Sequence, residues 1–506
     1  VPGLTLRLDP ADNAVVARRD IAPGTEIPEE GIVAQALIPA GHKLASRAIA
    51  RGEAVLKYAT VIGFAGEDVP PGGHLHSHNV LIGEMQKDYR FGRDYRPAPL
   101  LPQGERARFL GYRRADGRVG TRNVIGIFIT VNCAATVARK IAAHFDEERL
   151  ADYPNVDAVV PFIHAQGCGM EQTGEPMNLL HRTLKGYIQH PNIAGALIVG
   201  LGCERNNLER FFAATALETG TQLHGLRMQS VGGTAAAVAE GKALVRGMLE
   251  EANRARRESV SAEHITVGLQ CGGSDGFSGL SANPALGRTM DRLVANGGTA
   301  ILSETPELYG IEHTLTARAR DETVGRRLLE RIDWWLEYTR GRDVQMQGVV
   351  GPGNQEGGLA NIIEKALGGA RKGGSTGIEA VYRYAEPVTA RGLVVMDTPG
   401  YDPVSATGQI AGGANLICFT TGRGSCFGSY PAPTLKLASN TPMFTRMAGD
   451  MDIDCGPVVD GLRSLDEMGA EVFDAILATA SGQKTKSEIL GVGAEEFVPW
   501  PIGVTG

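Results

Sequence analysis

From residue 109 onward, short apolar runs alternate with longer stretches in which apolar residues recur every three or four positions. The runs NVIGIFITV (123–131), VDAVVPFIH (156–164) and AGALIVGLG (194–202) read as strands. Each precedes a helical pattern: AATVARKIAAHF, MNLLHRTLKGYIQH and NNLERFFAATALE. TQLHGLRMQ then leads into a long helix expected over 234–258, whose Arg/Glu-rich end reads as a solvated face and a boundary. A second series begins near 263. It has strands at 265–270, 299–304, GLVVMDTPG and NLICFTTGRG, and helices at NPALGRTMDRLVANG, about 312–340, GLANIIEKALGG and within 459–485. Apolar strands alternating with helices predict mostly parallel sheets covered on both faces.

Residues 1–90 follow another rhythm. IAPG (21–24), IPAG (38–41), IARG (49–52) and VPPG (69–72) each place a glycine three positions after an apolar residue, between short β-type segments. Pro and Gly at this density predict turns between short strands, hence a small all-β domain. Residues 91–108 carry three prolines and no period, which reads as a linker. The organisation expected is therefore a β domain (1–90), a linker (91–108) and two α/β regions (109–260 and 261–506).

Charge and cysteine usage narrow the function. A net charge of −7 and the lack of a Lys/Arg-rich run argue against nucleic acid as a partner. No apolar run reaches membrane length, and no signal peptide is evident at the start. Seven cysteines without a CxxC pair fit a reducing, cytoplasmic setting. The 67 glycines are roughly twice the usual share. Many lie in CGGSDGFSG, GPGNQEGG, ALGGARKGG and TGRGSCFG, loops that let backbone approach a ligand closely.

The polar residues with chemical reach fall at predicted strand ends, where open parallel sheets bind ligands. Cys133, Cys168 and Cys203 occupy equivalent places after three successive strands. They are candidate iron or iron–sulfur ligands, or else small buried hydrophobes. GGSDG (272–276) matches a nucleophile elbow, but His313 is the last histidine and lies too close in sequence for that fold's acid strand to intervene. Ser274 and Asn354, in Gly-rich loops, are candidate substrate-binding residues, and GPGNQEGG precedes a helix whose N–H groups suit a carboxylate. Arg423 and Lys436 are basic groups suited to the same ligand, or plain surface charges. His164, Asp275 and Glu304 are candidate general bases. In GGHLHSHN (72–79), His74, His76 and His78 alternate. An extended strand would turn all three to one face, where they would share a metal ion or form a polar edge. A divalent cation beside a small anionic substrate suits metal-assisted removal of water.

Several of these motifs also carry a resemblance. GHKLA (41–45), AVLKYATVIGFA (54–65), HLHSHN (74–79), GYRRADGRVGTRN (111–123), HAQGCGM (164–170), GLGCE (200–204), CGGSDGFSGLSANPALG (271–287), PGNQEGG (352–358) and FTTGRG (419–424) resemble the altronate dehydratase family. The family includes altronate and galactarate dehydratases and a related sulfolactate sulfo-lyase. The resemblance implies a β domain like those of antifreeze and sialic-acid synthase proteins, a dimerising α/β domain and a Rossmann-like C-terminal domain. It also implies a homodimer and dependence on iron(II) or manganese. The expected reaction takes a proton from C2 and a hydroxyl from C3 of a sugar acid, giving a 2-keto-3-deoxy acid. HxHxHN places the sequence on the altronate side. Ser425 and Cys426 depart from the Thr-Pro-Tyr-Gly expected of altronate enzymes in that loop. The reading from another class is a sugar-acid-binding protein without turnover.

Overall fold

The computed structural model describes residues 3–83, 88–343, 346 and 350–503. Residues 84–87, near the end of the expected β domain (1–90), lie outside the described residues.

The N-terminal domain is all-β, as its turn density predicts. A four-stranded sheet orders Thr5–Leu6, Ala14–Ala17, Lys43–Ala45 and His74–Leu75, beside sheets of two and three strands. The four repeated turns are equivalent in structure. Ile21 bridges Ile38 and Ile49 bridges Val69, and all four side chains are buried. The glycine ending each turn, at 24, 41, 52 and 72, has φ between 78° and 83°, a conformation that disfavours any side chain.

Both later regions are doubly covered parallel sheets. The first orders Ala158–Phe162, Val124–Ile129, Ile193–Gly200 and Leu223–Arg227. The second has seven parallel strands: Ile378–Tyr382, Gly392–Met396, Thr299–Leu302, Thr266–Cys271, Leu416–Thr421, Thr434–Ala438 and Ile453–Asp454. Phe128, Phe162 and Phe211 of the first share one apolar core with Met396, Phe419 and Phe497 of the second. The two α/β regions thus bury a common face, the main driving force for their association.

Two expectations change. The helix expected over 234–258 ends at Ala252, and Arg257–Ser261 forms a strand antiparallel to Arg108–Arg113. Val260 is buried and the Arg257 guanidinium stacks 4.5 Å from the Tyr112 ring, so tertiary contact outweighs the helical charge pattern. The Pro-rich linker forms few regular elements, yet it is not loose. Gly92 and Asp94 donate to Thr316 and Ala317 carbonyls, Leu101 to Ala295, and Gly377 donates to Arg96, lashing the segment to the C-terminal region.

The β domain docks on the C-terminal region through buried charge. Glu364, on helix Ile362–Ala370, pairs with Lys57 at 2.7 Å and Lys43 at 2.9 Å, with all three side chains at most 1% exposed. Burial works to raise the Glu364 carboxyl, but the two ammonium groups outweigh it and hold the group down at about 2. Backbones also meet directly, with Gly276 and Gly358 packed against the backbone of Gly41. A Cβ on Gly276 would land on the carbonyl of Gly41, well inside contact distance. Gly276→Ala is therefore expected to lose roughly 1–3 kcal/mol of stability. Chemical denaturation checks this, and an unchanged midpoint would show that the seam can give way.

Candidate active site

The strands of the seven-stranded parallel sheet all end at one edge, and the loops after two of them interlock. After Thr266–Cys271, the Ser274 hydroxyl lies 2.8 Å from the Cys271 thiol, and the Ser274 carbonyl accepts from Asn354 Nδ2 at 2.8 Å. After Leu416–Thr421, the N–H groups of Gly422 and Arg423 donate to the Gly273 carbonyl. Arg423 pairs with Glu356 at 2.9 Å. Ser274, Asp275, Asn354 and Arg423 are thus brought together, as strand-end placement implied.

The three candidate bases differ in what they have left to offer. His164 is buried with both ring nitrogens taken by backbone: Nε2 meets Ile129 O at 2.9 Å and Nδ1 accepts from Gln166 N. Burial lowers it to about 4. Asp275 is buried and its Oδ1 accepts from Phe277 N, Ser278 N and the hydroxyls of Ser278 and Ser439, while Oδ2 accepts from Asn440. These bonds make it a loop organiser. Burial raises its carboxyl against them. Glu304 follows strand Thr299–Leu302 with φ of 66°, a strained conformation for a residue other than glycine. Its Oε2 meets Lys372 at 3.0 Å and its Oε1 is buried with no hydrogen-bond partner. Burial pushes Glu304 up to about 8 despite Lys372.

Around Glu304 lies a charged group that sequence reasoning did not name. Lys365 pairs with Glu307 at 2.5 Å, and burial together with Glu307 raises Asp402 to about 6. A Cβ on Gly272 would strike Asp402, so this group abuts the Cys271–Asp275 loop. The signal for Lys372 was its place in ALGGARKGG, a loop already conspicuous for glycine. Lys436 stands apart, wholly buried in mid-strand.

The histidine stretch does not form the extended strand that alternation predicts. Strand pairing stops after His74–Leu75. Asn79 accepts from the His76 N–H and donates to the His74 carbonyl, and this side-chain bonding turns the chain. The turn still gathers the rings: His74 lies 5.6 Å from both His76 and His78, centroid to centroid. His42, unnamed from sequence, joins them at 5.2 Å from His74 and 4.8 Å from His76. It precedes strand Lys43–Ala45, which pairs antiparallel with His74–Leu75, so residues 32 positions apart become neighbours. Its place in GHKLA was the available signal.

Among the described residues, no group of three or more His, Cys, Asp or Glu is set to hold a metal ion. The imidazoles nonetheless have a ligand set's chemistry. His42 Nδ1 and His74 Nε2 stand 3.1 Å apart, close to the spacing of neighbouring ligands on one ion with bonds of about 2.1 Å. His42 Nε2 meets the Glu356 carbonyl at 3.1 Å, the outer bond that fixes a ligating imidazole. His76 Nδ1 is buried without a partner. Burial, then the neighbouring rings and Lys43, keeps His74 near 3 and His76 near 4, so both are neutral donors at pH 7.

A cavity of about 650 Å³ opens between the β domain and the strand-end loops. Arg18, Arg19, Arg423 and Arg446 line it with Asp275 and Asn440. Glu356 borders this cavity and contacts His42, so one loop joins the arginines to the imidazoles. A second cavity of about 680 Å³, beside Arg93, Arg96 and Arg318, includes Ser375, which precedes strand Ile378–Tyr382 and so marks the opposite sheet edge.

Three family models together span almost the whole chain. The altronate/galactarate dehydratase SAF domain matches residues 4–82, the second domain of D-galactarate dehydratase/altronate hydrolase 111–253, and the D-galactarate/altronate dehydratase C-terminal domain 262–505. The altronate dehydratase of Escherichia coli (strain K12) is 32% identical over 486 residues, 96% of each chain. The chain belongs to the altronate/galactarate dehydratase family. The galactarate dehydratase (L-threo-forming) of the same organism is 35% identical over 510 residues, 99% of this chain and 97% of that one. The (2R)-sulfolactate sulfo-lyase subunit beta of Chromohalobacter salexigens is 31% identical over 396 residues, 77% of this chain and 96% of that one. As a family member the chain is an enzyme, a carbon–oxygen lyase of the hydro-lyase class. Among the described residues no helix is long and apolar enough to cross a membrane.

Proposed function

We propose that this enzyme removes water from an aldonate of the altronate type, giving a 2-keto-3-deoxy acid. The observation that carries the reading is the arginine-lined cavity joined through Glu356 to four clustered histidines. The forked N–H donors of a single arginine match carboxylate geometry, and the Gly-rich loops admit backbone N–H donors to hydroxyls. Ser274 and Asn354 lock the loops against each other, and Arg423 with its neighbours orients the carboxylate. Glu304 takes the C2 proton, because it alone of the three candidate bases keeps an unpartnered oxygen. Lys372, held protonated beside it, passes a proton towards the departing C3 hydroxyl. His42, His74 and His76 would hold a divalent ion, iron(II) before manganese. Bound there, such an ion supplies Lewis-acid polarisation of the carboxylate and a hydroxyl.

HxHxHN favours altronate. The number of arginines around the cavity favours a second reading, galactarate, whose two carboxylates would use them more fully.

The test is to strip metal with a chelator, restore iron(II) or manganese under reducing conditions, and assay keto-acid formation from aldonates and aldarates. Turnover should vanish and return with the ion, fastest with altronate. Binding of sugar acids with no turnover of any would overturn the reading in favour of a binding protein. His76→Ala is expected to weaken iron retention by more than the roughly 10- to 100-fold typical of outer-shell losses. Metal analysis after dialysis decides it, and full retention would remove His76 from the ligand set.

A further inference from the structure

The thiols of Cys133, Cys168 and Cys203 are exposed, so they are not small buried hydrophobes, and no metal-holding group forms around them among the described residues. The buried polar groups around Glu304 carry more.

Glu304 stands in a conformation that its own segment does not require. Its φ of 66° and ψ of 58° are left-handed. At other such residues the cause is local: Tyr58 and Ala59 join two paired strands, and Ala216 ends a helix. Glu304 instead follows strand Thr299–Leu302 and opens a short helical turn, where the leading residue is ordinarily extended. A strained residue of this kind persists only when its surroundings hold it.

The holder is the end of the neighbouring parallel strand, Gly392–Met396. Thr398 Oγ1 accepts from the Glu304 N–H at 2.9 Å, and the Thr398 carbonyl accepts from the Thr305 N–H at 3.0 Å. The Thr305 hydroxyl donates to Asp397 at 2.6 Å, and the Trp335 indole donates to the same oxygen at 2.8 Å. Residues 397–398 thus hold 304–305 by two backbone N–H groups and one hydroxyl. Thr305 and Thr398 are wholly buried, so bulk water does not compete for these bonds.

The Thr398 hydroxyl is itself oriented. It lies 2.7 Å from Ser405 Oγ, which accepts from Gln270 Nε2 at 2.8 Å. The amide nitrogen only donates, so the Ser405 hydrogen points to Thr398 and the Thr398 hydrogen to the Pro399 carbonyl, 3.1 Å away. The two lone pairs of Thr398 then take the Ser405 hydrogen and the Glu304 N–H, which fills its capacity. Gln270 gives its other amide hydrogen to Gln409 at 2.8 Å, and Gln409 holds Ser303 at 2.9 Å. Ser405 and Gln409 belong to helix Asp402–Ala411, and this web is why a helix buried at almost every position keeps polar side chains.

We propose that Thr398, oriented by Ser405 and Gln270, is the positioning residue for Glu304, locking its backbone in the left-handed form that sets the carboxyl against Lys372 with one oxygen left for the C2 proton. The inference rests on Glu304 as the base. Without the hydroxyl, the Glu304 N–H loses its acceptor and the backbone relaxes to an ordinary conformation, which carries the carboxyl away. Lys372, Glu307 and Asp402 are the charged groups that face this carboxyl, with Cys271 and Lys365 in reach of the same cluster.

The test compares Thr398→Val, Thr398→Ser, Ser405→Ala and Glu304→Gln in the full chain, and Thr398→Val combined with Glu304→Gln, assayed on altronate and galactarate with iron(II) present. Valine keeps the shape of threonine and removes the hydroxyl. Thr398→Val should cut kcat about 10²-fold, the scale for a displaced reacting group, with KM little changed. Its kcat/KM limb should move down from near 8, because the displaced carboxyl loses the burial that raises it. Thr398→Ser should recover most of the rate and the limb. In the Glu304→Gln background the valine should cost little more, since both changes remove one function. Ser405→Ala leaves the bond between Thr398 and Glu304 in place and should lose less than the valine, with the limb shifted the same way. A parent that turns over neither sugar acid, or a Glu304→Gln enzyme with parental kcat, overturns the reading of Glu304 and this inference with it. If Glu304→Gln loses activity, three results overturn Thr398 alone: parental kcat in Thr398→Val, a slowed variant whose limb stays near 8, or costs that multiply in the double variant. Should Thr398→Val not fold, Ser405→Ala decides, and parental kcat with an unmoved limb there overturns the proposal.

Discussion

Glu304→Gln should cut kcat roughly 10²- to 10⁴-fold, the range for loss of a general base. Glutamine keeps the length of the side chain and a contact for Lys372, so the strained turn stays occupied. In the parent enzyme kcat/KM should rise with pH towards a limb near 8, because the base must be ionised and burial holds it protonated below that. The variant should lack the limb. Stability should move the opposite way. The native carboxyl keeps a proton that the unfolded chain releases above about 4.5, so this group's contribution is fully present below that pH and is lost as pH climbs towards 8. A variant with more than a tenth of parental kcat, or with the same pH limb, would remove Glu304 from the reaction.

Glu364→Ala should be the most damaging single change to the docking of the β domain. It strands Lys43 and Lys57, both wholly buried, without their shared carboxylate. Breaking a buried pair from one side typically costs about 3–5 kcal/mol. Glu364 also accepts from the Ala360 N–H at 2.9 Å, so glutamine should recover part of the loss. The native carboxyl near 2 against about 4.5 unfolded corresponds to about 3 kcal/mol, present above pH 4.5 and lost as pH falls towards 2. Urea titrations of parent and variant at pH 7 and pH 3 should differ strongly at the first and weakly at the second. A difference under about 1 kcal/mol at pH 7 would show that the lysines find other partners.

The sheets were legible in sequence because buried parallel strands read as unbroken apolar runs. Val124–Ile129 and Leu416–Thr421 are buried at every position. Thr434–Ala438 is equally buried but carries Lys436 at its centre, and the charge hid it. Helix Asp402–Ala411 escaped for another reason. Almost all of its residues are buried, among them Ser405, Thr407, Gly408 and Gln409, so there is no polar face to set a period. The strand Arg257–Ser261 was missed, its first two residues being read as the end of a helix, because its pairing partner lies almost 150 residues earlier, beyond any local pattern.

The candidate site was half visible. Strand-end residues such as Ser274, Asp275 and Arg423 follow from the placement rule for parallel sheets. His42 and Lys372 do not, since each gains meaning only from a neighbour that the fold supplies. The alternation of His74, His76 and His78 was a true signal read through the wrong geometry. A side-chain-bonded turn at Asn79 gathers the rings, where a straight strand was expected.

The way the β domain is seated has a consequence for how such an enzyme can be built. Its hold on the rest of the molecule is complete in itself: two lysines on one glutamate, glycine backbones packed directly together, and His42 on the Glu356 carbonyl. None of these bonds needs the peptide chain to run unbroken through residues 91–108. Covalent continuity sets the local concentration of the two parts, while recognition lies in the seam. The same architecture would therefore serve two separate polypeptides as well as one, the smaller acting as a detachable lid that brings its imidazoles with it.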